Sequence, residues 1–190
     1  MTGEVVCLVG LRCAGKSVVG ACLARRLGVP FADLDRELAA DWARTEGSAD
    51  APEAGEVLSR LGEPAFRELE ERTLTRLIRD GGPLVLATGG GAVESRTSRA
   101  RLAAETVAVW LRVATPELQR RMRADPRLRP GLLGGDPVAE VATLAARRAP
   151  LYGSVARHVV DAGEESPESL AERIAALLAT DGSKSSRTRL

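Results

Sequence analysis

Gly10-Leu11-Arg12-Cys13-Ala14-Gly15-Lys16-Ser17 fits the pattern G-x-x-x-x-G-K-[ST], and its surroundings decide how it is read. Before it, residues 4–10 (EVVCLVG) form a short Val-rich apolar run that reads as a strand. After it, a helical stretch runs from about Lys16 to Leu27, until Gly28-Val29-Pro30 stops it. In a strand, loop and helix of this kind, consecutive backbone N–H groups converge on phosphate oxygens and the helix dipole favours the anion. The chain from Cys13, Ala14 and Gly15 through Lys16, Ser17 and Val18 is therefore the candidate ATP-binding loop. Lys16 can reach the β- and γ-phosphates, and the Ser17 hydroxyl can ligate Mg²⁺. A chain of this composition yields roughly 0.002 accidental matches. Only two of the 27 basic residues are lysines, Lys16 and Lys184, and Lys184 falls in a polar tail. The folded part thus keeps its single ammonium where a triphosphate wants one.

Working outward, short apolar runs at 31–34, 83–88 (PLVLAT), 106–113 (TVAVWLRV) and 157–161 alternate with helical patterns at 64–79, 95–104, 116–123 and 138–148. A last helix is signalled by Ser166 as cap, Pro167, Glu168 and the spacing of Leu170, Ile174, Leu177 and Leu178. Continuous apolar strands separated by helices predict an α/β fold with a parallel sheet covered on both faces. The 190 residues suit one domain, expected over 1–179. Two stretches resist the pattern. Residues 44–56 are small, acidic and rich in Gly and Pro and read as a mobile connection, and 180–190 read as a disordered tail.

Composition narrows the function. Basic and acidic residues number 27 and 26, for a net charge of +1, and aromatic content is 3%. Neither an electrostatic nucleic-acid surface nor a set of base-stacking platforms is implied. One histidine excludes sites that need two, and His158 reads as structural. Cys7, Cys13 and Cys22 read as reduced thiols of a cytoplasmic protein. No apolar run reaches the ~18 residues of a membrane span, and no export signal opens the chain.

Further candidates cluster at strand ends, where an open parallel sheet binds ligands. Asp33 and Asp35 close the second strand, two apart and so on one face. Either they serve Mg²⁺ waters and an acceptor hydroxyl, or Asp35 caps the following helix. Gly89, Gly90 and Gly91 follow the third strand and mark either a close approach of backbone to a ligand or a loose loop. Arg120, Arg121, Arg123, Arg127 and Arg129 make a basic cluster among Pro and Gly. It is either a loop that closes over phosphates, a solvated face or a nucleic-acid contact. Trp110 reads as core, and Trp42 lines a pocket or caps a core edge.

Together these stretches resemble the shikimate kinase family, over about residues 5–178. The likeness is carried by GLRCAGKS, the D-x-D of FADLD, GEPAFRELE, ATGGGAV, RLRP and RRAPLY, in the family's order. The resemblance implies a three-layer P-loop kinase fold of nucleoside-monophosphate-kinase type. It has a five-stranded parallel sheet, an acceptor-binding region at about 36–63 and a lid at about 120–136. It implies a monomeric, cytoplasmic enzyme that uses ATP and Mg²⁺ to phosphorylate the 3-hydroxyl of shikimate, with no nucleic-acid or membrane partner. By the same resemblance Ser17 and Asp33 serve the metal, Asp33 through water, and Lys16, Asp35 and Arg129 are catalytic. Asp35, Arg67, Gly89, Gly90, Gly91 and Arg148 bind the acceptor, with Arg67 and Arg148 on its carboxylate. Arg121 stacks on adenine and Arg129 reaches the phosphates from the lid. Three departures stand out: residues 44–62 are longer than usual and lack the familiar apolar pattern, Gly131 lengthens the lid by one residue, and 163–165 lack the usual basic residue. Alternatives are a paralogue acting on a related cyclic polyol or aminocyclitol, and a nucleotide-binding regulator without turnover.

Overall fold

The central strand, β1 (Val5–Val9), is buried along its whole length and alternates between two cores. Val6 and Leu8 face one side, and Val5, Cys7 and Val9 the other. A strand apolar on both faces needs a layer on each, and the computed structural model, which describes residues 4–125 and 135–187 with side chains through 181, supplies them. β2 (Phe31–Asp33), β3 (Leu84–Ala87), β4 (Thr106–Arg112) and β5 (His158–Asp161) complete a five-stranded sheet of order β2-β3-β1-β4-β5. Every pairing is parallel, with Val5 opposite both Leu84 and Thr106.

On one face, α1 (Lys16–Leu27) and α8 (Pro167–Arg187) bury Val19, Leu23, Leu170 and Ile174 against Leu8 and Val109. On the other, α4 (Glu63–Arg79), α5 (Arg96–Glu105) and α7 (Pro137–Val155) bury Leu74, Leu77, Leu102 and Tyr152 against Cys7 and Leu86. A smaller cluster joins α2 (Leu34–Thr45), α3 (Ala54–Leu61) and α4 through Leu38, Val57, Phe66 and Leu69. α6 (Thr115–Ala124) leads into the undescribed stretch 126–134. The strand order sets β1, β2 and β3 side by side, so the loops leaving their C-terminal ends share one edge.

Three expectations change. Residues 44–56 are not wholly a connection, because α3 starts at Ala54. Ala54 and Val57 are buried, and Leu58 and Leu61 pack on the same cluster, so one apolar face offsets poor local propensity. Trp42 joins that cluster and lies under the Arg60 guanidinium, 5.1 Å from its ring centroid, so it caps a core edge. α7 does not stop at Arg148 but continues past Pro150, a break that burial of Tyr152 and Val155 overrides. α8 continues to Arg187, where a polar tail was expected from residue 180. Nothing in 181–187 is proline, and Asp181 in that stretch meets His158 Nε2 at 2.8 Å, which ties the helix to β5 and gives His158 its structural role.

Candidate active site

The phosphate loop is held open by three left-handed residues, Gly10, Cys13 and Gly15, with φ of 146°, 62° and 91°. Gly10 has a second reason to be glycine: a Cβ there would lie 2.7 Å from the Leu111 carbonyl oxygen. Gly15 is the N-cap of α1 and provides no side-chain cap, and the first turn carries no acidic residue. The leading amides of this helix therefore have neither intrahelical acceptor nor capping carboxylate, which suits an incoming anion. Lys16 is 8% exposed and donates from Nζ to the Leu11 carbonyl at 2.8 Å. Burial lowers its pKa to about 8, against the pull of the Asp35 and Asp33 carboxylates.

Asp33, the last residue of β2, makes two contacts that join the loop to α2. Oδ2 accepts the Ser17 hydroxyl at 2.5 Å, and Oδ1 accepts the Asp35 backbone N–H at 3.1 Å. Asp33, rather than Asp35, is thus the helix cap. Asp35 sits in the first turn of α2, so the two carboxylates do not share a strand face as their spacing suggested. The helix turn instead directs them to different neighbours. Asp33 meets Ser17, while Asp35 comes close to the glycine triplet: a Cβ on Gly89 would lie 3.0 Å from its Oδ1.

The triplet is not a loose loop. None of its glycines has positive φ, so the reason for glycine here is space. A Cβ on Gly89 would meet Glu70 Oε1 at 2.7 Å, and one on Gly91 would meet Arg67 Nη2 at 2.6 Å. A Cβ on Gly90 would lie 3.2 Å from the Arg12 backbone nitrogen and 3.7 Å from Arg148 Nη1. Gly90 is thus the narrow wall between the phosphate loop and Arg148. Buried Tyr152 fixes that wall by donating its hydroxyl to the Gly90 carbonyl at 2.6 Å.

Arg67 on α4 and Arg148 on α7 converge beyond the triplet. Arg148 has a side chain only 4% exposed and donates to Glu94 Oε2 at 3.2 Å. Arg67 donates to Glu70 Oε2 at 2.8 Å, one turn along α4, and stands 3.6 Å from Glu94 Oε2. Burial raises the Glu70 pKa while the Arg67 charge pulls it back, so the ion pair holds a carboxylate in an otherwise unfavourable place. Glu70, Glu94 and Tyr152 belong to the site, and sequence reasoning assigned none of them a role. Glu70 had a signal, three residues after Arg67 on one helix. Glu94 had none.

Arg121 on α6 donates to the Cys13 carbonyl at 3.4 Å and the Ala162 carbonyl at 3.1 Å, and also contacts the Gly163 carbonyl. It bridges the phosphate loop to the segment after β5, on the side of β1 away from Arg67. Arg129, with Arg127 and Gly131, lies outside the described residues. Among the described residues no group of three or more His, Cys, Asp or Glu could hold a metal. Ser17 and Asp33 offer one hydroxyl and one carboxylate, the sparse oxygen set of an ion that keeps its waters and takes further ligands from phosphates. No helix among the described residues is long and apolar enough to cross a membrane.

Known proteins share these features in sequence and in shape. The family model for shikimate kinase matches residues 12–179. The shikimate kinase of Ruegeria pomeroyi is 39% identical over 177 residues, which cover 93% of this chain and 86% of that one. A shikimate kinase from Acinetobacter baumannii, solved in complex with shikimate, matches with a TM-score of 0.81 at 31% identity and covers 95% of each chain. The Bacteroides thetaiotaomicron shikimate kinase matches with a TM-score of 0.79 at 30% identity, covering 93% of this chain and 98% of that one.

Proposed function

The chain belongs to the shikimate kinase family, and we propose that its site transfers the γ-phosphoryl group of ATP to the 3-hydroxyl of shikimate. One observation carries the reading beyond family membership. Gly90 lies between the phosphate loop and buried Arg148, close to both, so a small carboxylated ring held by Arg67 and Arg148 lies next to the triphosphate end. Two guanidinium forks on one carboxylate fix a ring in orientation as well as place. Asp35, beside Gly89, accepts the hydrogen bond of the attacking hydroxyl and takes its proton as the oxygen bonds to the γ-phosphorus and ADP departs. Lys16 leaves the Leu11 carbonyl for the β- and γ-phosphate oxygens and neutralises charge that develops during transfer. Arg121 flanks the adenine, and Arg129 reaches the phosphates from the lid. Ser17 and Asp33 hold Mg²⁺, Asp33 through water, and the ion when bound neutralises and orients the phosphates. A monomer in the cytoplasm performs the reaction.

Steady-state ADP release with a panel of acceptors tests this reading. Shikimate raises ADP production well above the acceptor-free rate, and ring polyols that lack the carboxylate do so only at far higher concentration. Stimulation by another polyol and none by shikimate assigns a paralogous acceptor, and no stimulation by any acceptor assigns a binding protein without turnover.

Asp33 has two roles that one substitution separates. Asn caps a helix as well as Asp does, but it brings no charge to a metal-bound water. Asp33→Asn therefore raises the half-saturating Mg²⁺ concentration by about 10- to 100-fold and leaves the melting temperature close to that of the unaltered protein. Asp33→Ala removes the cap as well and lowers stability by about 1 kcal/mol. A Mg²⁺ titration of the rate at saturating ATP and a thermal melt of each variant check both statements.

A further inference from the structure

Glu94 ends the 3-10 turn Ala92–Glu94 that follows the glycine triplet, and its two oxygens face different ways. Oε2 accepts from Arg148 Nη2 at 3.2 Å and lies 3.6 Å from Arg67 Nη2. One carboxylate oxygen thus sits between the two guanidinium groups assigned above to the acceptor carboxylate. Oε1 is itself buried and lies 2.8 Å from Nη2 of the exposed Arg147, in an ion pair without an aligned hydrogen bond. The Glu94 side chain is 16% exposed, whereas that of Arg147 is 59% exposed.

We infer that Glu94 is an internal competitor for the acceptor: its carboxylate occupies the seat of the acceptor carboxylate between Arg67 and Arg148, and it yields by turning outward onto Arg147. The inference deepens the proposed function and rests on its reading of Arg67 and Arg148. Without a carboxylate between them, the buried Arg148 guanidinium and the partly buried Arg67 guanidinium repel each other. Glu70 neutralises Arg67 from one side, and Glu94 supplies the charge that quiets Arg148. An arriving carboxylate takes over that role, after which the displaced Glu94 needs a cation at the surface, and Arg147 is already in contact. Arg147, which has no evident part in the reaction, acquires one as the outward station. The trade keeps every charge paired in both states, and it weakens acceptor binding by the stability of the contacts Glu94 gives up.

Titration calorimetry of shikimate into the unaltered protein, Glu94→Gln and Glu94→Ala, each with MgADP as a parallel titrant, tests the inference. Both variants bind shikimate about five- to tenfold more tightly, the scale of one partly exposed charged contact no longer broken, while the Kd for MgADP is unchanged. A residue that merely props Arg67 and Arg148 in place predicts the opposite sign. Shikimate affinity that is unchanged or weaker in both variants overturns the inference, and so does an equal gain for MgADP, which signals general loosening. Turnover of the unaltered protein is read separately. Its absence sinks the proposed reaction while the ratio of shikimate affinities still decides the role of Glu94, and no shikimate binding by any of the three proteins overturns both.

Discussion

Lys16→Ala lowers kcat at saturating substrates by about 10³-fold and leaves the fold intact. The loss is large because this ammonium is buried, so its charge acts through little screening on the phosphate oxygens that gain charge in transfer. The fold survives for a related reason. Burial lowers the Lys16 pKa from an ordinary 10.5 to about 8. A lysine whose folded value lies below its unfolded one weakens the fold at neutral pH, and that penalty is relieved as pH rises from about 8 to 10.5. Removing the amine removes the penalty, so Lys16→Ala melts no lower than the unaltered protein at pH 7. The same pKa sets a second observable. MgATP binding uses the protonated amine, so affinity holds below pH 8 and falls as pH rises through about 8, approaching tenfold per pH unit. Lys16→Ala shows no such limb. ADP release, calorimetric Kd for MgATP between pH 6.5 and 9.5, and a thermal melt check the three parts. Near-normal turnover in the variant removes Lys16 from the reaction.

How far such a site can be read from sequence depends on how local its causes are. The phosphate loop was legible because a strand, two glycines in the left-handed region and a helix start all lie within one run of residues, and the spacing G-x-x-x-x-G-K-S encodes them. The sheet was legible because burial on both faces leaves continuous apolar strands such as Val5–Val9. Strand order needed more than pattern, because nothing in β3 marks it as the neighbour of β1 on one side and β2 on the other. The aspartate pair was half legible. Both residues lie near the site, but the period-two argument assumed a strand that runs through Asp35, whereas β2 ends at Asp33 and Asp35 lies in the first turn of a helix.

The acceptor side shows what pattern cannot supply. Three successive glycines suggested backbone approaching a ligand, and in the structure a Cβ on Gly89 or Gly91 would also run into the charged side chains of Glu70, Asp35 and Arg67. Those residues come from α2 and α4, far from the triplet in sequence, so no local signal could specify them. α3 was missed for the same reason. Its sequence is weak alone and becomes a helix because Val57 and Ala54 find a pocket built by Leu38, Phe66 and Leu69. Arg67 and Arg148 were assigned through family likeness, and neither has a neighbour in sequence that marks it as an anion ligand.

Arg148→Ala raises the KM for shikimate by about 10²- to 10³-fold, the effect of truncating one partner of a buried charge pair, about 3–4 kcal/mol within the usual range, and leaves the KM for MgATP within a few-fold. The asymmetry follows from position. Arg148 lies on the acceptor side of Gly90, and its side chain is 4% exposed, so the contact it gives a carboxylate is weakly screened. Its influence on the nucleotide is indirect. The Arg148 charge is among the groups that lower the Lys16 pKa, so removing it shifts the high-pH limb of MgATP binding upward rather than abolishing binding. Arg148→Lys separates charge from geometry: it keeps a cation but loses the planar fork, and a site that reads a carboxylate through two parallel N–H donors recovers only part of the lost affinity. Alanine at this position also strands Glu94 on Arg147 and Arg67, and it lowers the melting temperature, which lysine restores. Steady-state kinetics with each substrate varied in turn, for both variants, measure the contrast. Equal losses for shikimate and MgATP, or full recovery by lysine, place the carboxylate seat elsewhere.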